Sequence, residues 1–307
     1  MDVAVRKQQN RQIGKKLLPY FLVVPALIFY VLFWLRPVMQ QFADSFTNAA
    51  GQFSLDNYRL VFSDPDFGLA FANTAIIVVI SVVLEFFFAL FLALLINRNF
   101  RGSSIFLFLV LIPMALPALA VAAMWKTGLT TNGWLNSLFT YVGLLDSGEK
   151  IYWLAGSRWK MLALIIIVDA WQVIPSVMII LLAGLQNIPR ETEEAGYVFG
   201  GNYFTVLRKI TIPILGPTIQ TAVILRLIAA IQIWLIIVVL IGHNRVPVLV
   251  ERIVYYHKEV SRLEISPLMV AGYTILVTVI VSIAAAVYLR VFRAIGQRGG
   301  EVEDAVA

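Results

Sequence analysis

Residues 190–217 read RETEEAGYVFGGNYFTVLRKITIPILGP and form a polar, turn-rich stretch between two long apolar runs. Around this stretch the chain is strongly apolar, since 60% of its 307 residues are hydrophobic and 14% are charged. Apolar runs of this length can cross a hydrocarbon core of ~30 Å, so the sequence predicts an integral membrane protein. The polar stretch is where such a protein can contact a soluble partner.

The apolar runs predict six transmembrane helices and therefore an all-α membrane protein. The predicted spans are 17–35, 70–96, 104–125, 159–184, 214–241 and 267–292. They leave residues 1–16 and 293–307 as terminal segments, and an even number of spans puts both segments on one side. The first run follows basic residues, as in a signal peptide, but it continues into Arg36-Pro37 without a small-residue cleavage site, so we expect a retained helix.

Basic residues predict which side holds the termini, because Lys and Arg near the ends of spans tend to stay in the cytoplasm. They mark the termini, the second connector and the polar stretch: Arg6, Lys7, Arg11, Lys15, Lys16, Arg98, Arg101, Arg190, Arg208, Lys209, Arg290, Arg293 and Arg298. Cytoplasmic termini are therefore expected. The net charge of +6 then reflects topology and contact with anionic membrane lipid, and the scattered basic residues offer no patch for nucleic acid.

The polar stretch predicts a helix-turn-helix. Gly200 and Gly201 supply the turn, and Pro213 is expected to open the next membrane helix, where its missing N–H has no cost. Five apolar residues could share one helical face: Ala195, Val198, Phe199, Val206 and Leu207. The alternative interpretation is an ordinary cytoplasmic connector, since Gly and Pro occur in any loop between helices.

The spacing of this stretch resembles the EAA loop of ATP-binding-cassette (ABC) importer permeases. The positions that carry the resemblance are Glu194, Ala195, Gly200, Leu207 and Pro213. Three positions depart from the family pattern: Gly196 replaces the second Ala, Phe199 stands where Asp is usual, and Leu207 stands where Phe is usual. The departures leave the spacing of the motif unchanged.

Other stretches resemble the carbohydrate branch of these permeases, of the maltose/trehalose type. The resemblance covers roughly residues 17–292 and includes 53–58, 64–67, 73–74, 133–136, 169–171 and 182–189. A clear departure follows the fifth run, where the family usually has a Gly-Gly-Pro turn and this chain has Gly242-His243-Asn244-Arg245. The resemblance therefore does not name the sugar.

The resemblance implies a type I importer permease fold whose loop 190–213 couples the membrane helices to an ATPase. It also implies the partners: a homodimer of ABC ATPase subunits, a second permease that is usually a different chain, and an extracytoplasmic binding protein that delivers a sugar or oligosaccharide. The expected location is the cell (inner) membrane of a bacterium or archaeon. No phosphate-loop motif occurs in the chain, so we expect no enzyme activity and no cofactor here, with ATP and Mg bound by the partner subunits.

Three ionisable residues lie near the middle of apolar runs: Glu85, Asp169 and Arg226. Each would cost about 2.5 to 3.5 kcal/mol or more on a lipid-facing helix, so each is expected to face protein or water. Arg226 could line the translocation path, or it could form an internal ion pair with Glu85 or Asp169 that never meets substrate. We interpret Glu85 as a structural charge.

The predicted substrate path combines Arg226 with Gln232 and Trp234 after it, and Asp169 with Gln172 in the fourth run. Sugars suit such a set, because hydroxyls need donors and acceptors while the apolar face of the ring stacks on an aromatic side chain. On an ideal helix Gln232 lies about 240° away from Arg226, so the two can share one narrow contact only where the helix is kinked or broken.

The sequence predicts no catalytic residues and no metal site. There is no Cys, and the spacing of His243 and His257 with Glu251, Glu259 and Glu264 matches no ligand pattern, so this loop is expected to be a solvated surface.

Two other classes of function compete with the importer. A stand-alone secondary transporter could use Glu85 and Asp169 as proton or cation carriers, but no repeat is evident between the two halves. An intramembrane enzyme would need a catalytic set of residues that the sequence does not contain.

Overall fold

A computed structural model describes residues 20–146, 148–263 and 265–304, the last of these from 293 onward by their backbone alone. These residues fold mainly into helices. In chain order the helices are α1 (Tyr20–Ser45), α2 (Asp56–Ser63), α3 (Phe67–Asn97), α4 (Ser103–Leu111), α5 (Ala118–Gly128), α6 (Trp134–Tyr141), α7 (Arg158–Gln186), α8 (Arg190–Val198), α9 (Tyr203–Ile214), α10 (Gly216–Ile231), α11 (Leu235–Ile241), α12 (Leu249–Lys258) and α13 (Ser266–Asp304).

Four of these helices, α1, α3, α7 and α13, are long and apolar enough to cross a membrane. Two bent pairs pass the same test together: α4 with α5, bent by 95°, and α9 with α10, bent by 69°. If each pair is one span, the described residues hold six. The basic residues predicted to precede the first span lie outside the described residues, as do residues 17–19.

The first helix continues ten residues beyond the predicted end of its span, to Ser45. Pro37 did not end it, because residues Val31–Leu35 form a π-helical turn in which the Arg36 N–H bonds the Val31 carbonyl. A wider turn of this kind shifts the hydrogen-bond ladder, and Pro37 then stands in the first turn of the following α-helical segment.

The third run is not a continuous helix. A 3-10 turn, Pro113–Ala115, follows α4, and the chain is extended at Leu116 before α5 begins after Pro117. The two prolines remove backbone donors and disfavour helix in the residues before them. The Leu116 carbonyl, which is free at this break, accepts a hydrogen bond from the Gln172 amide nitrogen at 3.0 Å. A side chain of α7 thus supplies the donor that the broken helix lacks.

The fifth run is divided twice, and neither division lies at Pro213. Pro213 stands inside α9, directly after a π-helical turn, Leu207–Thr211, in which the Ile212 N–H reaches back to the Leu207 carbonyl. The membrane helix α10 instead begins at Gly216 with Pro217 in its first turn. The expectation that Pro213 opens the membrane helix is therefore wrong: the π-helical turn accommodates Pro213 within α9, and Pro217 stands in the first turn of α10.

The second division lies at residues 232–234, where α10 ends and α11 begins. The two helices pack in different clusters of buried side chains. Ala222 of α10 joins a cluster with Ala93 of α3 and Met178 of α7, whereas Ile237 of α11 joins a cluster with Val121 of α5 and Ile165 of α7. The long helix α7 contributes to both and forms the centre of the bundle.

The end of the bundle near Asp64, called here the Asp64 end, is held by a buried charge network. The Arg252 guanidinium on α12 donates to both Asp64 carboxylate oxygens, with the Nη2–Oδ2 distance at 2.8 Å. The Tyr273 hydroxyl on α13 donates to the same carboxylate at 2.6 Å. One carboxylate thus joins the segment before α3 to two later helices.

The His243 loop was expected to be a solvated surface, and this expectation is wrong for part of it. Glu251 is completely buried and accepts the Asn244 N–H at 3.0 Å, and Arg252 is 2% exposed. These residues close the Asp64 end of the bundle. The burial of Arg252 follows from its partner Asp64, which lies 188 residues earlier in the chain and could not be read from local spacing. Glu264 lies outside the described residues.

The network predicts how stability depends on the Asp64 carboxylate. Burial alone would raise the pKa of Asp64, but hydrogen bonds from Tyr273, from the Asp66 N–H and from Arg252 outweigh burial and hold the pKa below its ordinary value of 3.8. A lowered folded-state pKa stabilises the fold at pH values above the ordinary pKa, and this contribution is lost as the pH falls through the folded-state value.

Replacing Asp64 by Asn should lower the free energy of unfolding by about 3 kcal/mol at neutral pH, because Arg252 loses its buried counter-charge and keeps only the half-buried Asp66, 3.2 Å from Nη1. The thermal midpoint of the detergent-solubilised chain measures this loss. The difference from wild type should shrink as the pH falls below the ordinary Asp pKa. Asp56→Asn, an exposed carboxylate in the same segment, is the control, and equal midpoints for both variants would contradict the role of the network.

Candidate functional site

The stretch that follows α7 folds as two short helices, α8 and α9, joined by a tight turn. The Gly200 N–H bonds the Tyr197 carbonyl at 2.9 Å, and the Gly201 N–H bonds the Gly196 carbonyl at 3.0 Å. This pair of bonds is a Schellman motif, with Gly200 in the left-handed region at φ 84°. Asn202 then caps α9, since its side chain accepts the Thr205 N–H at 2.9 Å. The predicted helix-turn-helix is present.

The turn carries a group of exposed apolar side chains, called here the apolar tip. It consists of Val198, Phe199 and Phe204, whose exposed fractions are 84%, 90% and 76%. The predicted apolar face also included Val206 and Leu207, and this part of the prediction is wrong: Val206 is 2% exposed and Leu207 is half-buried. The two residues point back toward the bundle because α9 returns along α8 after the turn.

Close packing explains one departure from the family motif. A Cβ at position 196 would lie 2.5 Å from Ile210 Cδ1 and 3.0 Å from Val206 Cγ2, so α9 approaches α8 more closely here than an alanine allows without movement. Gly196 and the inward-facing Val206 are thus two parts of one contact. The second Ala of the usual motif is replaced where the helices touch.

Two side-chain contacts were not predicted from the sequence. One joins the two helices of the loop to each other, and the other joins the loop to the bundle. Glu193 accepts a hydrogen bond from the buried Thr211 hydroxyl at 2.9 Å, which links α8 to α9. The Arg98 guanidinium lies 4.5 Å from the centre of the Tyr203 ring, which links the end of α3 to α9. Nothing in the spacing singled out Glu193 over Glu194, because only the return path of α9 shows which glutamate faces Thr211.

Glu194 itself is exposed and lines a cleft of about 450 Å³ between the loop and the end of α3. Ala195 is also exposed, whereas Gly200 stands in the turn and Pro213 lies inside α9. The predicted coupling residues therefore occupy three places: Glu194 and Ala195 on the surface of α8, Gly200 at its end, and Leu207 with Pro213 along α9.

The five residues of the predicted substrate path meet around one cavity of about 370 Å³. Asp169 and Gln172 reach it from α7, and Arg226 reaches it from α10. Gln232 and Trp234 lie in the break between α10 and α11, so the broken helix resolves the angular conflict between Arg226 and Gln232. Met114, Ser176 and Ala229 also line the cavity and were missed, because short or apolar side chains give no signal in a sequence of this composition.

Arg226 forms both of the ion pairs that the sequence left open. Its Nε and Nη2 nitrogens donate to the Glu85 carboxylate, with Nη2 at 2.8 Å from Oε1, and Nη2 also donates to Asp169. The exposed fractions of Glu85, Asp169 and Arg226 are 0%, 4% and 6%. The triad joins α3, α7 and α10 at mid-length, and through Asp169 and Arg226 it also forms a wall of the cavity.

Residues 85–298 match the family described as binding-protein-dependent transport system inner membrane components. The matched region starts at Glu85 and includes the triad, the cavity, the loop and most of α13. The chain belongs to this family. It is therefore a multi-pass membrane component of a transport system, which confirms the resemblance stated from the sequence.

Several relatives resemble this inner membrane component over most of its length. The trehalose/maltose transport system permease protein MalF of Thermococcus litoralis is 32% identical over 231 residues, which cover 73% of this chain and 77% of the relative. The sulfoquinovosyl glycerol transport system permease protein SmoG of Agrobacterium fabrum is 30% identical over 293 residues, which cover 92% of both chains. The lactose transport system permease protein LacF of Rhizobium radiobacter is 30% identical over 220 residues, covering 70% and 73%.

The fold also matches a solved structure, a bacterial ABC transporter involved in the import of the acidic polysaccharide alginate. The TM-score is 0.80 at 20% identity, and the match covers 94% of this inner membrane component and 99% of that chain. The all-α importer permease fold predicted from the sequence is confirmed. At this identity the match concerns the fold alone.

The turn of the loop predicts a local effect of a small substitution. A Cβ at Gly201 would lie 2.7 Å from the Gly196 carbonyl oxygen. Gly201→Ala should therefore break the hydrogen bond from the residue-201 N–H to this carbonyl and weaken the packing of α8 on α9 by about 1 to 3 kcal/mol. Limited trypsin digestion of the detergent-solubilised chain should cut at Arg190, Arg208 and Lys209 several-fold faster, with the thermal midpoint of the bundle unchanged. Gly68→Ala, where no atom lies within 4 Å of the added Cβ, is the control, and identical digestion rates would contradict the role of the turn.

Proposed function

We propose that this subunit passes a sugar or oligosaccharide into the cytoplasm by alternating access. An extracytoplasmic binding protein delivers the solute, and a homodimer of ABC ATPase subunits, bound at the loop α8–α9, drives the cycle. A second permease, a different chain, completes the pathway. This chain binds no cofactor of its own, and ATP with Mg belongs to the ATPase subunits.

The observation that carries the sugar assignment is the cavity at the α10–α11 break. It brings together a guanidinium, a carboxylate, two amides and an indole, which is the mixture that hydroxyl groups and the apolar face of a sugar ring require. Relatives over most of the chain are named as permeases for trehalose/maltose and for lactose. Both the chemistry of the cavity and the names of the relatives support a carbohydrate.

Charge supports the orientation in which the loop faces the cytoplasm. Arg98 and Arg101 follow α3, and Arg190, Arg208 and Lys209 lie in the loop, so this end of the bundle is basic on two neighbouring connectors. The Asp64 end then faces the binding protein. Both termini lie on the cytoplasmic side in this arrangement.

Ion-coupled secondary transport is a weaker candidate. The carboxylates that such a carrier would protonate or load with a cation are Glu85 and Asp169, and both accept hydrogen bonds from Arg226. A carrier site needs a carboxylate that can exchange its partner during the cycle, whereas here one arginine holds both.

The docking assignment predicts that changing the apolar tip detaches the ATPase. Phe204→Asp should reduce the ATPase recovered with the tagged, detergent-extracted chain about tenfold or more, because a charge would replace an exposed aromatic side chain of the apolar tip. Glu194→Lys tests the charge on the surface of α8 and should uncouple or detach the ATPase while membrane insertion stays normal.

Phe53→Asp is the matched control, since Phe53 is 81% exposed but lies in the connector between α1 and α2, at the Asp64 end. Its recovery of the ATPase should equal that of wild type. Normal ATPase recovery by both Phe204→Asp and Glu194→Lys would remove the assignment of the loop as the docking element.

The function as a whole is tested by reconstitution. The chain and the partners that co-purify with it should, in liposomes loaded with ATP, take up a sugar only when the loaded binding protein is present outside. ATP hydrolysis should rise under the same condition. A lone chain that takes up solute in response to an ion gradient would support the secondary transporter, and ATP-driven uptake of a solute other than a carbohydrate would overturn the sugar assignment.

A further inference from the structure

We propose that the cavity selects uncharged sugars and rejects acidic ones, an inference that rests on the proposed function and narrows its substrate class. The feature that carries it is the way in which the positive charge of Arg226 is used. An acidic sugar in a low-dielectric cavity needs a positive charge that is free to pair with it. The cavity wall offers an arginine whose charge is already matched.

The triad has no net positive charge as long as at least one of its two carboxyl groups is ionised. With Glu85 and Asp169 both ionised, the two carboxylates and the guanidinium sum to one negative charge, and with one carboxyl protonated they sum to zero. Every other residue that lines the cavity is formally uncharged. A carboxylate or sulfonate on the substrate would therefore lose its hydration without gaining a counter-ion from this subunit.

The same geometry leaves hydrogen-bonding atoms for hydroxyl groups. Among the described residues, Arg226 Nη1 and Asp169 Oδ1 have no hydrogen-bond partner, and neither is one of the buried unpaired atoms, so both are accessible. The Gln172 amide nitrogen is used by the Leu116 carbonyl, which leaves its oxygen as an acceptor. Arg226 Nη1 thus offers a donor, and Asp169 and Gln172 offer acceptors, at a cavity wall with no net positive charge. Such a set suits a neutral polyol.

Gln232 and Trp234 complete the set from the break between the helices. Gln232 is exposed at the cavity and brings an amide that can donate and accept, and the half-buried Trp234 brings a ring on which a sugar can stack. Neither side chain adds a charge. This chain therefore differs in expected specificity from the structurally similar transporter of alginate, an acidic polysaccharide.

The experiment measures direct binding to the permease, so that the preference of the binding protein does not enter. Saturation-transfer NMR is recorded on the full chain with its co-purifying partners in lipid nanodiscs. The probes are trehalose and maltose as neutral sugars, and methyl glucuronide and an alginate trisaccharide as acidic ones. The neutral probes should bind on the order of 10-fold to 100-fold more tightly than the acidic ones, the range expected for one uncompensated charge at short distance.

Gln232→Lys provides a gain of binding that does not disturb the buried triad, because Gln232 is exposed and lies outside both helices. The added charge should raise the affinity for the acidic probes relative to that for the neutral probes about tenfold. Gln232→Met, which has similar length and no charge, is the matched control and should not strengthen binding of the acidic probes.

The outcomes separate this inference from the proposed function. Binding of acidic probes to wild type as tight as that of neutral probes would overturn the charge selection and leave the sugar function standing. A Gln232→Lys variant that gains nothing over Gln232→Met would also overturn it. If neither class of probe binds to wild type or to Gln232→Lys, the inference fails, and the uptake assay in liposomes decides whether the sugar function fails with it.

Discussion

The bundle depends on the requirement that Arg226 be neutralised before its surroundings can close around it. An arginine in the middle of an apolar helix is tolerated only where carboxylates or water meet it, and here both carboxylates come from other helices. Glu85 and Asp169 therefore fix the height and rotation of α3 and α7 relative to α10. The apolar side chains above and below the triad add packing, but the triad penalises a shifted register more strongly because a misplaced charge would stay unpaired in an apolar environment.

This constraint also determines what the cavity can do. Because the triad lies at the wall of the cavity and not in the centre of a closed core, the charges that hold the helices together also set the field that a solute meets. The helix break at residues 232–234 adds amide and indole groups to that wall without adding another charge. The stability of the bundle and the net charge at the cavity wall thus depend on the same three side chains.

The sequence predicted those parts of the fold that depend on local pattern. Hydropathy gave the apolar runs, and the spacing from Glu194 to Pro213 gave a helix-turn-helix whose turn lies at Gly200, as observed. It failed where distant segments decide the outcome. Helix α9 continues through Pro213 because a π-helical turn precedes it, and Val206 is buried because Gly196 lets α9 pack closely on α8. The ion pairs of Arg226 were predicted only as an alternative to a place on the translocation path. A single sequence does not show which helices are neighbours.

The connection between α10 and α11 has a mechanical consequence. Helices α10 and α11 are anchored in separate clusters of buried side chains and are linked by residues 232–234. They can therefore move as two rigid segments about this short link, called here the pivot. A rotation applied to α10 through the loop can be absorbed by the few backbone torsions of the pivot, while α11 remains seated on α5. The pivot carries Gln232 and Trp234, so any such rotation would turn groups that line the cavity and would not merely widen a gap beside them.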